Sequence, residues 1–144
     1  MRRGISLRQI APSAVTAMAL CFGLTAIRFA ISGNDPEQLR LLPPGRTMSW
    51  FWELAVGAII FAGVLDGIDG RIARLLRSES RFGAELDSLS DSIAFGVSPA
   101  ILLYLWSLQQ MPRFGWIVAL GLALSCVLRL ARFNANLDVI DQPR

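Results

Sequence analysis

Apolar residues form four long blocks along the chain, separated by shorter polar stretches. An α-helix rises about 1.5 Å per residue, so roughly 20 apolar residues cross the hydrocarbon layer of a bilayer. The second and third blocks are short for this, and reach the length only if their helices continue into the polar stretch between them. The pattern predicts an all-α, polytopic transmembrane helical bundle with four spans. The blocks cover about Ile10–Ile31, Trp50–Leu65, Ile93–Leu108 and Phe114–Leu130.

The composition agrees with a membrane protein and excludes other classes. Of 144 residues, 53% are hydrophobic and 17% are charged, whereas soluble domains carry about a quarter charged residues. The mean hydropathy is +0.49. The two cysteines, Cys21 and Cys126, lie inside apolar blocks. This arrangement excludes a disulfide framework.

Positive charge is distributed as it is in membrane proteins. The net charge is +3, and the 14 cationic residues are all arginines, many of them beside the apolar blocks. Cytoplasmic loops are rich in such cations, which favours membrane topology over nucleic-acid binding. The pattern places both termini and the stretch from Asp66 to Asp91 on the cytoplasmic side. The aromatic cluster Trp50–Trp52 then lies at the opposite interface.

Four aspartates occur in the polar stretch between the second and third spans. If the second helix continues through it at 100° per residue, Asp66 and Asp69 share one face with Gly70 and Ala73. On the third helix, Asp87 and Asp91 share a stripe with Gly83 and Ala94. With a turn at Arg77–Arg81, the two faces meet. Since the chain has no histidine, acid–base chemistry near neutral pH must use carboxylates, arginine-assisted groups or a metal.

Four carboxylates at the ends of membrane helices need a physical reason. A charge well inside a bilayer costs about 2.5–3.5 kcal/mol on insertion scales, and clustered carboxylates repel one another. Divalent cations remove both problems, and oxygen ligands suit Mg²⁺, Mn²⁺ or Ca²⁺. Small residues on the same faces leave a trough for a phosphate-bearing ligand, with Arg74 or Arg71 as an additional phosphate contact. The spacing does not fit an EF-hand.

The chain resembles the CDP-alcohol phosphatidyltransferase family at every fixed position of that family's signature. Within the family, the runs Phe82–Leu89, Phe95–Ala100 and Leu128–Asn134 resemble most the bacterial members that use serine. The signature reads here Asp66-x2-Asp69-Gly70-x2-Ala73-Arg74-x8-Gly83-x3-Asp87-x3-Asp91.

The resemblance implies an integral membrane enzyme that joins CDP-diacylglycerol to an alcohol, with serine favoured, and releases CMP. Two divalent cations, Mg²⁺ or Mn²⁺, would be held by Asp66, Asp69 and Asp87. Asp91 would complete the ligands of the second cation and act as the catalytic general base. No organic cofactor is expected. The nucleotide would lie against Gly70, Ala73, Arg74 and Gly83.

The resemblance also bears on location, assembly and extent. It implies the bacterial cytoplasmic membrane, an active site on the cytoplasmic side, and a homodimer. It further implies that residues 1–144 form one domain of this family. Because the family core has six spans and four are predicted here, we expect a domain that is truncated at its C-terminal end.

Several positions keep two interpretations open. Arg129, Arg132 and Asn134 lie at the predicted cytoplasmic end of the fourth span. They either reflect positive-inside topology or contact the substrate carboxylate or lipid phosphate. The family often has Pro-Asn at the start of the first span, whereas this chain has Pro12-Ser13. A contact made by that Asn would fall to Ser13 or Thr16. We expect packing between spans at Gly57, Gly63 and Gly121.

Other functions are compatible with parts of the pattern. A related enzyme could use glycerol 3-phosphate, inositol phosphate or choline as its alcohol. Acidic residues within a membrane also mark cation transporters and channels, but such a path predicts acids across the membrane depth, whereas these lie at one end. A membrane subunit without catalytic activity is a third alternative.

Overall fold

A computed structural model of the protein describes residues 7–76 and 81–140, and within these ranges every regular element is a helix. The all-α prediction is confirmed. Of the turn predicted at Arg77–Arg81, residues 77–80 lie outside the described ranges, and Arg81 begins a helix. The elements are α1 (Leu7–Asn34), α2 (Pro36–Arg40), α3 (Met48–Leu76), α4 (Arg81–Asp91), a π-helix (Ser92–Val97), α5 (Ser98–Trp106), a 3-10 turn (Leu108–Gln110) and α6 (Gly115–Ile140).

Four helical stretches are long and apolar enough to cross a membrane, as the sequence predicts. The second and third blocks do continue into the polar stretch between them, since α3 ends only at Leu76 and α4 begins at Arg81. The chain is therefore an integral membrane protein. The four stretches are Ile10–Asn34, Met48–Leu75, Arg81–Trp106 and Gly115–Asn136.

Helix α1 lies at the centre of the bundle and packs most extensively on α3. The buried positions of α1 follow a three-and-four-residue rhythm of small side chains that includes Ala19, Ala26 and Ala30. On the side of α3, the small residues Ala55, Ala58 and Ala62 are also buried. Small residues bring membrane helices close together, so dispersion contacts hold them where lipid removes the hydrophobic driving force.

The π-helix lies against α1 at a glycine. A Cβ atom built on Gly23 would lie 2.9 Å from both Cα and Cβ of Ala94. The hydroxyl of Ser98 donates a hydrogen bond of 2.9 Å to the carbonyl oxygen of Gly23. Ala94 and Ser98 are both fully buried, so this contact fixes the start of α5 against α1.

The expectation for the three glycines holds at one position only. Gly63 faces the ring of Phe95, which a built Cβ would contact at 3.6 Å. Gly57 and Gly121 have open space around the same built atom within the described residues. The packing predicted for these two is therefore wrong in this part of the chain, where Gly23 makes the close contact instead.

The length of α3 sets the depth of the polar stretch. The aromatic cluster Trp50–Trp52 lies in the first turn of this helix. There the guanidinium of Arg46 stacks 3.5 Å from the centroid of the Trp50 ring. At about 1.5 Å per residue, Asp69 lies roughly 26 Å along the axis from Trp52. The hydrocarbon layer is about 30 Å thick, so a helix of this length is long enough to carry Asp69 from one boundary of the layer to near the other.

Candidate functional site

Helix α3 brings two aspartates to the end of the bundle opposite the aromatic cluster Trp50–Trp52. Asp66 and Asp69 are about one turn apart, so both project toward the same side of the helix. Asp69 is only 4% exposed, and it continues the line of small buried residues that packs on α1. Asp66 is half-buried. The first of the two predicted aspartate faces is therefore present.

Helix α4 supplies the other pair. Asp87 and Asp91 are four residues apart in a regular α-helix that ends at Asp91, and both are half-buried. The next six residues form a π-helix. The sequence-based prediction of a regular α-helix from Gly83 through Ala94 is therefore wrong for Ala94, which lies in the π-helix. It is correct for Asp87 and Asp91, which lie in α4.

Three of the four aspartates converge. Asp66, Asp69 and Asp87 each offer a carboxylate oxygen, and these oxygens lie within 4.8 Å of one another. This is a spacing at which oxygen ligands can share a cation. The predicted meeting of the α3 and α4 faces is thus observed for these residues.

Two oxygen atoms at the site show that the donor set suits a cation. The Oδ1 atoms of Asp87 and Asp91 are buried and accept no hydrogen bond from the described residues. A buried polar atom without a partner costs free energy unless a ligand satisfies it. Asp91 also has Asp66 as a close electrostatic neighbour, so its carboxylate borders the group of three.

Two hydroxyl side chains connect the aspartates to α1. Thr16 Oγ1 donates to Asp69 Oδ2 at 2.5 Å, and Ser90 Oγ donates to the carbonyl oxygen of Thr16 at 3.3 Å. The sequence alone indicated Thr16 only as a substitute for a missing asparagine, and indicated no role for Ser90. A signal was present, because Thr16 lies in the three-and-four-residue rhythm of small residues of α1.

The residues predicted to contact a nucleotide line the ends of the same helices. Gly70 is exposed, and a Cβ atom built there would contact nothing within 4 Å among the described residues. Ala73 and Gly83 are half-buried, whereas Arg74 is exposed. The arrangement leaves room beside the aspartates on α3, and the nucleotide contacts themselves stay a prediction.

The three predicted residues of α6 differ in their surroundings. Arg129 and Arg132 are exposed. Asn134 instead donates from Nδ2 to Ser88 Oγ at 2.5 Å, and Ser88 follows Asp87 in the chain. Asn134 therefore ties α6 to the helix that carries the second aspartate pair, a contact that the sequence did not reveal.

Comparison with known proteins gives one consistent result. The family model described as CDP-alcohol phosphatidyltransferase matches residues 9–144. A Mycobacterium bovis protein named CDP-diacylglycerol–serine O-phosphatidyltransferase is 46% identical over 99% of this chain. A Helicobacter pylori protein of the same name is 32% identical over 90% of the chain.

These relatives are longer proteins. The chain covers 43% of the Mycobacterium bovis protein and 48% of the Helicobacter pylori protein, so it spans less than half of their length. No solved structure matches the chain.

Proposed function

The chain belongs to the CDP-alcohol phosphatidyltransferase family, and on this basis we propose that it transfers a phosphatidyl group from CDP-diacylglycerol to L-serine. The products are phosphatidylserine and CMP, and the reaction serves phospholipid biosynthesis. The convergence of Asp66, Asp69 and Asp87 at one end of the bundle carries the proposal. The names of the relatives support serine as the alcohol.

The donor set supports a divalent cation site. Members of this family depend on divalent cations, and we propose two ions, Mg²⁺ or Mn²⁺, held by Asp66, Asp69 and Asp87 with Asp91 as a further ligand. When bound, such ions neutralise the diphosphate and stabilise CMP as the leaving group. Hard carboxylate oxygens favour these ions over soft metals.

Asp91 is our candidate for the general base. The serine hydroxyl oxygen attacks the phosphorus that carries the diacylglycerol, the bond from that phosphorus to the oxygen of CMP breaks, and the hydroxyl proton passes to Asp91. A general base must lie within hydrogen-bond reach of that proton. The buried, unpartnered Oδ1 atom of Asp91 supports this role, since it is an acceptor that no described residue uses.

The open face of α3 supports a nucleotide position beside the aspartates. We propose that the cytidine nucleotide lies against Gly70, Ala73 and Gly83, where small residues admit it close to the backbone. Arg74 would contact a phosphate, and Arg129 or Arg132 the serine carboxylate, because a guanidinium matches a planar anion. Asn134 supports this site through its bond to Ser88.

The depth of the site suits a lipid substrate. The acyl chains stay in the hydrocarbon layer while serine arrives from water, on the cytoplasmic side of a bacterial inner membrane. The arginines at this end of the helices support that orientation. By family resemblance we also propose a homodimer.

The proposal is tested in membranes that contain the protein, supplied with CDP-diacylglycerol and either Mn²⁺ or Mg²⁺. Separate reactions receive labelled serine, glycerol 3-phosphate, inositol phosphate or choline. We expect label from serine to enter lipid with an equal release of CMP, and both to stop when EDTA removes the cation. Incorporation of another alcohol and not of serine would contradict the choice of substrate.

A matched pair of variants connects this activity to the site. Asp87→Asn removes one charged ligand and is expected to abolish CMP release. Glu53→Gln removes an exposed carboxylate at the far end of α3 and is expected to leave the rate unchanged. Cation flux into vesicles without nucleotide would instead indicate a transporter.

A further inference from the structure

Thr16 connects the first helix to both of the helices that carry the aspartates. Its hydroxyl donates to Asp69 on α3, and its carbonyl oxygen accepts from Ser90 on α4. All three residues are well buried: Thr16 and Asp69 are 4% exposed and Ser90 is 2% exposed. Each bond is therefore shielded from competing water.

The hydroxyl of Thr16 has two acceptors within reach but only one proton. Pro12 O lies 3.0 Å away, and Asp69 Oδ2 lies 2.5 Å away. A charged carboxylate is the stronger acceptor, so the Thr16 hydroxyl donates its hydrogen bond to Asp69. Thr25 on the same helix provides a comparison, because its hydroxyl bonds the backbone carbonyl of Cys21 at 2.7 Å. The distance from the Thr16 hydroxyl to the Pro12 carbonyl oxygen is longer than the matching distance from Thr25 to Cys21.

We propose that Thr16 is a positioning residue for the cation site, which its hydroxyl serves by holding the Asp69 carboxylate in the orientation that binds the ion. The inference rests on the proposed function, since it assumes that Asp69 is a ligand. A hydrogen bond to Oδ2 fixes the rotation of the carboxylate. Partners of this kind orient ligands, and their loss costs about 10–100-fold in metal affinity.

Ser90 extends this role to the second pair of aspartates. It lies three residues after Asp87 and immediately before Asp91, so its bond to the Thr16 carbonyl fixes α4 relative to α1. Thr16 therefore contacts both of the helices that carry the aspartate pairs. These two bonds explain why the polar residue Thr16 lies among the small, mostly apolar residues that α1 buries.

The test measures Mn²⁺ affinity directly, by titration of the purified protein in detergent with electron paramagnetic resonance of the free ion. Thr16→Val keeps the shape of the side chain and removes the hydroxyl. We expect it to bind Mn²⁺ about 10–100-fold more weakly than the unaltered protein. Thr16→Ser retains the donor and is expected to restore the affinity.

Thr25→Val is the matched control, because it removes a hydroxyl from the same helix that bonds only to backbone. We expect it to bind Mn²⁺ as the unaltered protein does. Should Thr16→Val fail to fold, as judged by thermal unfolding, Thr16→Ala takes its place, since an alanine side chain has no hydrogen-bond donor.

The outcomes separate this inference from the proposed function. If the unaltered protein binds no Mn²⁺, the cation site itself is wrong. If the unaltered protein binds Mn²⁺ and folded Thr16→Val binds it equally well, the positioning role of Thr16 is overturned. Where Thr16→Ala is used instead, an unchanged Mn²⁺ affinity in that variant overturns the role in the same way.

Discussion

At the scale of single residues, the four aspartates differ in their surroundings although their spacing makes them look alike. Asp69 is buried and accepts a hydrogen bond from Thr16. Asp87 and Asp91 each keep one buried oxygen without a partner among the described residues. We therefore propose that Asp69, whose carboxylate is held in one orientation by a hydroxyl, serves only as a cation ligand. Asp91, which has an unpartnered oxygen, would also accept the proton.

This difference leads to a prediction for Asp91→Asn. The amide cannot take a proton from the alcohol, so turnover is expected to fall by about 10²–10⁴-fold, the usual contribution of a general base. Mn²⁺ and CMP are expected to bind still, because Asp66, Asp69 and Asp87 remain. Rates of CMP release and calorimetric titration measure the two quantities.

Asp69→Asn is the comparison, since it removes a ligand and is expected to weaken the binding of Mn²⁺ itself. Equal losses of Mn²⁺ affinity in the two variants would argue against separate roles for Asp69 and Asp91.

At the scale of helices, the π-helix is the least regular element and directly follows Asp91. π-Helical turns occur frequently at functional sites. Here the segment is held by α1, where Gly23 meets Ala94 and accepts a hydrogen bond from Ser98. Helix α1 therefore packs on the segment that directly follows α4, the helix that carries Asp87 and Asp91.

We predict that Gly23→Ala destabilises the protein. Its new Cβ would lie 2.9 Å from Ala94, and overpacking of this kind costs about 1–3 kcal/mol. Gly57→Ala is the control on α3, because its Cβ would meet open space, and alanine is favoured over glycine inside a helix by about 0.5–1 kcal/mol. Thermal unfolding in detergent measures both, and equal midpoints for the two variants would contradict the close contact.

These elements also show what the sequence could and could not predict. Apolar block length predicts the spans, because bilayer thickness fixes it, and the three- and four-residue spacing predicts the aspartate faces, because helix geometry is regular. The π-helix was missed because the local spacing of the residues gives no sign of it, and the contacts it makes with α1 join residues that are distant in sequence. The bonds of Thr16 and Asn134 were missed for the same reason: each joins residues that only tertiary packing brings together.

At the scale of the whole molecule, the two ends of the bundle differ in chemistry. One end has the aromatic cluster, with Arg46 stacked on Trp50. The other end has the aspartates and several exposed arginines, including Arg71 and Arg74. Since arginines accumulate on the cytoplasmic side, the aspartates should face the cytoplasm.

This orientation is tested with single cysteines at two equally exposed leucines, one at each end. Leu41 and Leu75 are both 82% exposed. With Cys21 and Cys126 replaced by alanine, a membrane-impermeant thiol reagent applied to intact cells is expected to label Leu41→Cys and spare Leu75→Cys. Both should react once the membrane is opened, and the opposite pattern would reverse the orientation.

The length of α3 between Trp52 and Asp69 has a consequence for the host membrane. Withdrawing a lipid from a bilayer costs about 0.8 kcal/mol for every methylene group exposed to water, which forbids lifting two long chains toward a remote site. Under the proposed function, carboxylates at the depth of the headgroups would make such lifting unnecessary. We therefore expect the activity to depend on bilayer thickness, because a layer several ångströms thicker would bring the carboxylates into hydrocarbon and a thinner one would leave them in water above the phosphates.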